Sequence, residues 1–508
     1  MAKNICTLLV FLPALFFSTA MAQRAGIPDS SFATNGFLAT KIGPFDHKPA
    51  DVVVQPDGKI LVGGVLPANN YSYLMRYNND GSTDTTFAAG VGVSTRPLYT
   101  DGFRKIVLLP GGKIVAAGEV ETANNGLDIY LQRYLPNGAP DSSFGINSVA
   151  TKDYNNVGNT MRDVVVQPDG KIVVASEIYG LLNSVDFSVM RFNANGTVDS
   201  SFGTNGNTMV DMDTIDNNPN TLALQSDGKI IVAGTSHVNP TTDTITFMRF
   251  TTSGQLDSTF ATGGKRKIIL PGANLISGIS MLANNSFLLS GFKRTYQPYT
   301  IVPFVIKITA KGQADSTFGV NGLFISQINN QNALFTDITT RGNKHYAGGY
   351  AGDTSIDNML LVCLTAAGKP DSSFATNGVY VDHVAASNNG LNALTMDNIG
   401  RVVVVGTAGA EGLVGRFKTV GEVTAITETA TTSWNLYPNP AGNVIYLSGE
   451  AIAGAGINVH DYTGKLLQQI PHYTSGGIDI SKLPNGVYFV SVKTTAGQTM
   501  VKQLVVAR

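Results

Sequence analysis

The side chains best suited to chemistry are few and scattered in this 508-residue sequence. Six histidines are present: His47, His237, His345, His383, His460 and His472. No two lie at the close spacing of a metal-binding pair, which favours a structural or surface role for each. Motifs of the Gly-x-Ser-x-Gly, P-loop and HExxH types are missing. Cys363 stands in the apolar run MLLVCL, as a buried and inert thiol would. We therefore expect no cofactor and favour a protein without catalysis.

Acidic residues supply the one candidate metal site. Asp211, Asp213 and Asp216 share a predicted loop at a spacing like that of calcium ligands, although the glycine and distal glutamate of a Ca²⁺ loop are missing. Another aspartate recurs along the chain in the phrase Asp-Ser/Thr-Ser/Thr-Phe. Because a binding site usually breaks the symmetry of a repeat, we interpret this repeated aspartate as a turn residue that accepts backbone hydrogen bonds.

The loops that differ most between repeats carry tyrosine, asparagine and some basic residues. The candidate binding residues are Tyr71, Tyr179, Tyr296, Tyr299, Tyr350, Lys293 and Arg294. Tyrosine offers rigid apolar area with a polar tip, so a surface of this kind can stack on sugars or peptides. The basic residues, with Lys265, Arg266 and Lys267, suit an anionic polymer. Solvated loops without a ligand are the alternative.

A repeated unit must position these loops. The hairpin phrase VVVQPDGKIVVA at 164–175 almost repeats VVVQPDGKILV at 52–62. In the phrase Asp-Ser/Thr-Ser/Thr-Phe, the phenylalanine falls at positions 32, 87, 144, 202, 260, 318 and 374. β-branched runs around a Pro-Asp-Gly turn predict a hairpin, and two further strands complete each unit. Four strands every 55 to 58 residues predict an all-β fold with a seven-bladed β-propeller.

The two ends of the array indicate how it is closed. The chain opens with Asp29-Ser30-Ser31-Phe32 before any hairpin, whereas the seventh copy stops at Phe417 without its own copy of that phrase. A ring in which the first strand completes the last blade explains this offset. An open β-solenoid is the alternative, but it would need a cap at each end.

These units resemble the delta-60 repeat of bacterial secreted proteins. The segments that carry the resemblance include QPDGKIVVA at 167–175, RY or RF, NG, and DSSFGTNG at 199–206. The resemblance covers roughly residues 26 to 420 and is specific for copies one to four. Copies five and six depart from it, since Lys307 and Cys363 replace the arginine of the RF phrase. The resemblance implies a repeat architecture and no defined activity.

A separate module follows a Thr-rich linker at 421–433. Strands alternating with Asn-Gly and Thr-Gly turns over residues 434–508 predict a small immunoglobulin-like β-sandwich. This module resembles the type A C-terminal sorting domain of the Bacteroidetes type IX secretion system. The matching residues are Tyr437, Pro438, Asn439, Pro440, Asp461, Gly464, Lys465, Leu483, Gly486 and Tyr488. The resemblance implies the type IX machinery as partner, passage across the outer membrane and removal of the tail. An ordinary immunoglobulin-like binding module is the alternative.

Composition and the N-terminus agree with export. Residues 1–22 have the basic start, short apolar run and Ala-Met-Ala end of a signal peptide, with a membrane anchor as the alternative. We expect no transmembrane segment in the mature chain. The net charge of −1 gives no global field for nucleic acid, and the single mature cysteine permits no internal disulfide.

Together these features predict a secreted or cell-surface protein with a signal peptide at 1–22, a propeller at 24–420, a linker at 421–433 and a sorting domain at 434–508. We expect the propeller to be non-catalytic and to bind glycan or a surface protein. One alternative is a polysaccharide lyase or glycosidase, which would need an asymmetric cluster of reactive side chains at the ring axis. The other is a purely structural or adhesive surface protein.

Overall fold

The computed structural model describes residues 25–42, 46–67, 71–88, 93–95, 102–122, 126–153, 158–179, 185–212, 216–239, 242–352, 357–382, 384, 388–419, 434–449, 452, 454–461, 466–474, 476–493 and 499–507. The chain divides into two compact units, Met1–Val420 and Gly421–Arg508, called here the larger unit and the tail unit. Strands dominate both, which confirms the all-β prediction. In the described part of the chain, no helix has the length and apolar character to cross a membrane.

The described residues of the larger unit form seven four-stranded antiparallel sheets, numbered here in chain order. Strand β1 (Phe37–Thr40) comes first. Sheet 1 contains β2 (Lys48–Val54), β3 (Ile60–Leu66), β4 (Tyr71–Tyr77) and β5 (Val93–Thr95). Sheet 2 contains β6 (Phe103–Leu108), β7 (Ile114–Thr122), β8 (Gly126–Tyr134) and β9 (Val149–Lys152). Sheet 3 contains β10 (Asn159–Val166), β11 (Ile172–Tyr179), β12 (Val185–Phe192) and β13 (Asn207–Val210).

The remaining sheets follow the same order of strands. Sheet 4 contains β14 (Asp216–Leu224), β15 (Ile230–Asn239), β16 (Thr242–Phe250) and β17 (Lys265–Ile269). Sheet 5 contains β18 (Ala273–Met281), β19 (Phe287–Tyr296), β20 (Tyr299–Ile308) and β21 (Leu323–Ile325). Sheet 6 contains β22 (Asn332–Arg341), β23 (Lys344–Gly352), β24 (Asp357–Thr365) and β25 (Val379–Asp382). Sheet 7 contains β26 (Asn389–Met396), β27 (Val402–Ala408) and β28 (Glu411–Phe417), together with β1.

The Pro-Asp-Gly-Lys turns form the predicted hairpins. In sheet 3, the Gln167 N–H donates to the Lys171 carbonyl at 2.8 Å, and the Gly170 N–H donates back to the Gln167 carbonyl at 2.8 Å. Gly170 has a φ of 82°, which a residue with a Cβ adopts only with strain. The Asp169 side chain accepts from the Lys171 N–H at 3.1 Å. Asp169 and Gly170 thus each have a local role in the turn.

The seven sheets form a closed ring. The first strands of successive sheets contact one another in order, and β2 of sheet 1 also contacts β26 of sheet 7. Strand β1 pairs with β28 from Phe37↔Gly415 to Thr40↔Gly412, so the N-terminal strand completes sheet 7 as the offset predicts. The Asn392 side chain donates to the Pro49 carbonyl at 2.6 Å across the same junction. A β-propeller is therefore confirmed, and an open solenoid would not bring β2 against β26.

A repeated ion network holds each unit to the next. In sheet 3, Arg191 Nε donates to Asp199 Oδ2 at 2.8 Å, and Lys171 Nζ reaches the same oxygen at 2.9 Å. The Arg191 guanidinium stacks on the Phe202 ring at 4.6 Å and donates to the Thr252 carbonyl of sheet 4. Burial alone would raise the pKa of Asp199, but hydrogen bonds from Ser201 and Lys171 and the charge of Arg191 hold it well below its usual range. We call this set the Lys–Asp–Arg network.

The network recurs around the ring with three departures. The full set is repeated by Lys59, Arg76 and Asp84 in sheet 1, Lys113, Arg133 and Asp141 in sheet 2, and Lys229, Arg249 and Asp257 in sheet 4. In sheet 7, Arg401 replaces the lysine and binds Asp29 together with Arg416. Lys307 replaces the arginine in sheet 5 and still reaches Asp315 at 2.9 Å. In sheet 6, Lys344 alone pairs with Asp371, because Cys363 replaces the arginine. The repeated aspartate is thus an architectural residue.

Two buried histidines make the stability of the larger unit depend on pH. His47 and His345 are almost fully buried, and burial lowers the pKa of each to about 4. The pKa of an unfolded histidine is about 6.5, so the unfolded state binds more protons below that pH and stability falls as the pH decreases. Between pH 7.5 and pH 5 we expect each histidine to remove about 2 kcal/mol of unfolding free energy. Urea unfolding of the protein at both pH values measures this loss of stability. The double variant His47→Gln with His345→Gln should lose less stability between the two pH values, and an unchanged loss would contradict the prediction.

The tail unit contains seven strands within its described residues. They are β29 (Asn435–Tyr437), β30 (Val444–Ser448), β31 (Gly456–Asp461), β32 (Leu466–Ile470), β33 (Ile478–Asp479), β34 (Gly486–Lys493) and β35 (Thr499–Val506). One sheet has the order β29-β30-β33 and the other β32-β31-β34-β35. Trp434, Ile445, Ile457, Val490 and Leu504 belong to a core that draws on both sheets, as in a small β-sandwich.

Candidate functional site

A cleft of about 420 Å³ opens between sheets 4 and 5. It lies where β14, β16 and β18 begin and where β15 and β19 end. Ten residues line it: Asp216, His237, Asn239, Asp243, Ala273, Asn274, Leu275, Phe292, Arg294 and Tyr296. Of the loops predicted to be variable, the one at 291–300 contributes to this site, through Phe292, Arg294 and Tyr296.

The wall formed by sheet 4 is polar. His237 near the end of β15 and Asp243 near the start of β16 are direct partners in the strand register. His237 Nδ1 lies 2.5 Å from Asp243 Oδ1, which fixes the orientation of an imidazole that is 40% exposed. On the same wall, Asp216 Oδ1 accepts from the Val185 N–H at 3.2 Å. This wall offers carboxylate, imidazole and amide groups to a ligand.

The wall formed by sheet 5 is aromatic and cationic. Phe292, Arg294 and Tyr296 alternate along β19, so they face the same side of the sheet. Tyr296 and Tyr299 are directly opposite each other at the end of the hairpin and are 47% and 55% exposed. Arg294 lies over the Phe292 ring at 5.7 Å. Leu275, which also lines the cleft, is an exposed apolar side chain.

The structure brings together part of the predicted tyrosine surface. Arg294 and Tyr296 line the cleft, and Tyr299 lies beside Tyr296. Burial raises the pKa of Tyr350 in sheet 6; Asp357 and Tyr299 raise it further, whereas Arg294 opposes the rise, so these residues are electrostatic neighbours. Lys293 is adjacent to Arg294 in the strand and therefore faces the other side of the sheet.

The other two predicted tyrosines lie elsewhere. Tyr71 begins β4 in sheet 1 and packs, partly buried, against the core shared with sheet 7. Tyr179 ends β11 in sheet 3, and its side chain lies outside the described residues.

Sequence reasoning missed the pairing of His237 with Asp243. It treated each histidine separately and looked for metal-binding pairs. The available signal was the hairpin itself, because residues that flank a turn become cross-strand neighbours. A bulge between His237 and Asn239 shifts the register by one residue, so that His237 pairs with Asp243.

The acidic candidate for calcium is only partly described. Asp213 lies outside the described residues. Burial raises the pKa of Asp186, and the charges of Asp211 and Asp216 raise it further, so these three carboxylates are close. Among the residues that the structure covers, no three His, Cys, Asp or Glu side chains are arranged to hold a metal ion.

An asymmetric charged cluster lies on the first strands, which face the ring axis. Lys105 Nζ is 3.6 Å from Asp51 Oδ1 and also interacts electrostatically with Asp163 and Asp337. Burial raises the pKa of Asp337 to about 6, although Lys105 partly opposes this rise.

The carboxylates of Asp51, Asp163 and Asp337 in this cluster already have hydrogen-bond partners. Each accepts a backbone N–H from the following sheet: Asp51 from Ile106 at 2.8 Å, Asp163 from Leu222 at 2.8 Å and Asp337 from Leu394 at 3.0 Å. The cluster therefore joins neighbouring sheets.

In the tail unit, the Tyr-Pro-Asn-Pro motif contacts the last strand. Asn439 donates to the Gln503 carbonyl and accepts from the Val505 N–H, both at 2.8 Å. Tyr437 stacks on Tyr446, with ring centroids 5.9 Å apart. The Tyr488 hydroxyl donates to the Pro484 carbonyl at 2.8 Å, next to the buried Leu483 and to Gly486. Asp461 pairs with Tyr488 in the strand register, whereas Gly464 and Lys465 lie outside the described residues.

Known family models match segments of both units. Residues 55–87, 109–144, 167–202 and 225–260 match a β-propeller domain of unknown function, DUF5122. Residues 435–507 match the secretion system C-terminal sorting domain. No curated protein matches the chain.

Solved structures resemble the fold distantly. A catalytically inactive virginiamycin B lyase from Staphylococcus aureus, with quinupristin, has 12% identity over 76% of this chain and 99% of that one, with a TM-score of 0.42. A family AA12 carbohydrate-active enzyme from Trichoderma reesei has 14% identity over 77% and 97%, with a TM-score of 0.34. The β-propeller domain of the trilobed protease from Pyrococcus furiosus has 8% identity over 75% and 98%, with a TM-score of 0.38. At these TM-scores none of them bears on activity.

Proposed function

We propose that this chain, which carries DUF5122 β-propeller repeats and a type IX secretion sorting domain, is a secreted or cell-surface protein that binds a glycan between sheets 4 and 5 of its propeller. The sorting domain indicates secretion or attachment to the cell surface and implies interaction with the type IX machinery. We further propose a signal peptide at 1–22 and removal of the tail near 421–433. The observation that carries the glycan proposal is the exposed Tyr296 in a cleft whose opposite wall is polar.

A sugar ring suits the chemistry of both walls. Its apolar face stacks on a tyrosine ring, and its hydroxyls need donors and acceptors close by. Tyr296 and Tyr299 supply the aromatic surface, while Asn239, Asp216 and His237 supply polar groups on the other wall. A cleft that is mainly apolar with a few convergent polar groups is the usual form of a small-ligand site. A peptide from a surface protein is the other ligand class that such a surface accepts.

We expect the variant Tyr296→Ala to weaken glycan binding about tenfold, because a stacked aromatic contact contributes roughly 0.5–1.5 kcal/mol beyond the area that it buries. The measurement is calorimetric titration of the full exported protein with the best ligand from a glycan panel. Ile146→Ala is the control, because it also removes an apolar side chain, 80% exposed, from the turn before β9, outside the cleft. Equal affinity for both variants would contradict this use of the cleft.

The pairing of His237 with Asp243 favours one second candidate, a polysaccharide-cleaving enzyme. A histidine oriented by a carboxylate can act as a general base or acid when its other ring nitrogen faces the substrate. Incubation of the full exported protein with the polysaccharides that it binds, followed by assays for new reducing ends and for unsaturated products, tests this. Turnover that is lost in His237→Gln while binding is retained would support the enzyme; binding without any product would exclude it for those substrates.

A further inference from the structure

Arg294 is an arginine without an acceptor in a protein that otherwise pairs its buried arginines. Arg76, Arg133, Arg191, Arg249 and Arg416 each bind the aspartate of a Lys–Asp–Arg network. Across the described residues, by contrast, the half-buried side chain of Arg294 makes no hydrogen bond or ion pair, and its Nε has no partner. A guanidinium without an acceptor favours a ligand that supplies one, because hydrogen bonds between charged groups are stronger than neutral ones.

The position of Arg294 determines what can supply this acceptor. It lines the cleft on the wall of sheet 5, two residues from Tyr296 and on the same face. A sugar ring stacked on Tyr296 would place its substituents beside the guanidinium. The planar fork of arginine matches a carboxylate or a sulfate through two parallel hydrogen bonds.

The two carboxylates that also line the cleft do not prevent this. Asp243 is bound to His237, and Asp216 accepts from the Val185 N–H; both lie on the opposite wall. The cleft is therefore cationic on one side and acidic on the other. An acidic sugar fits both sides, because its anionic group meets Arg294 while its hydroxyls donate to the acidic wall.

We infer that the glycan bound in this cleft is an anionic saccharide whose carboxylate or sulfate pairs with Arg294. The inference rests on the proposed function and adds the chemical class of the ligand.

The test compares ligands that differ only in charge. Affinities of the full exported protein are measured for polygalacturonate against its fully methyl-esterified form, and for chondroitin sulfate against desulfated chondroitin. We expect at least one charged member to bind tenfold or more tightly than its matched partner, and rising salt should reduce only that advantage. The pair that shows the preference identifies carboxylate or sulfate as the recognised group.

Variants assign the preference to Arg294. In Arg294→Gln we expect the charged and neutral forms to bind with equal affinity. Lys311→Gln is the control, since Lys311 is an exposed cation in the turn after β20 and lies outside the residues that line the cleft; this variant should keep the preference. Equal binding of charged and neutral forms by the unaltered protein would overturn the inference and leave the glycan proposal standing. Failure to bind any member, or any neutral glycan in a panel, would overturn both.

Discussion

The variant Asp199→Ala is expected to lower the free energy of unfolding of the larger unit by about 3–5 kcal/mol, the usual effect of removing one partner from a buried ion pair. It leaves Arg191 buried against Phe202 without its carboxylate, and it releases Lys171 and the Ser201 hydroxyl. Because Arg191 also donates to the Thr252 carbonyl, the junction between sheets 3 and 4 should loosen with it.

Asp169→Ala is the matched control for this prediction. Asp169 is the aspartate of the neighbouring turn; it is exposed and accepts one hydrogen bond, from the Lys171 N–H. We expect its loss to change stability by less than about 1 kcal/mol. Urea unfolding of both variants at pH 7 provides the comparison, and equal effects would show that the network contributes little.

The low pKa of Asp199 adds a dependence on pH. The pKa of Asp199 in the folded state lies below the unfolded value of about 3.9. Its contribution to the free energy of unfolding is therefore complete above that pH and is lost as the pH falls through the folded pKa. The difference between the unaltered protein and Asp199→Ala should therefore shrink in acid.

Deletion of residues 25–41 is expected to have the second large effect, opening the ring. It removes β1, the buried Phe32 and Asp29, which pairs with both Arg401 and Arg416. Arg416 is 1% exposed, so its charge would be left unpaired in the interior. We expect sheet 7 to lose protection from hydrogen exchange and the larger unit to melt at a much lower temperature.

A synthetic peptide of residues 25–41 provides the control for this deletion. If β1 acts as the closing strand, adding the peptide should restore part of the lost protection in β28. A truncated protein that melts like the intact one would contradict the closure described above.

Local chemistry explains which features the sequence predicted. The Pro-Asp-Gly turns and the phrase that ends in Phe202 act within a few residues, so their roles follow from spacing alone. The pairing of Lys171 with Asp199 was not predictable, because the partners are 28 residues apart and meet only when the sheet forms. Contacts to the next sheet, such as Arg191 to Thr252, span 61 residues and depend on the ring.

The residues of the cleft were likewise predictable only where their roles are local. The tyrosines of the β19–β20 hairpin were predicted from loop asymmetry, and Arg294 with them. The wall that faces them comes from sheet 4, whose position against sheet 5 no local pattern specifies.

A crystal structure of the exported protein with its tightest-binding saccharide would locate the ligand. We expect the sugar between sheets 4 and 5, with a ring against Tyr296 and an anionic group on Arg294. Electron density for the saccharide over the axial cluster around Lys105, or beside Tyr71 in sheet 1, with the cleft empty, would contradict this expectation.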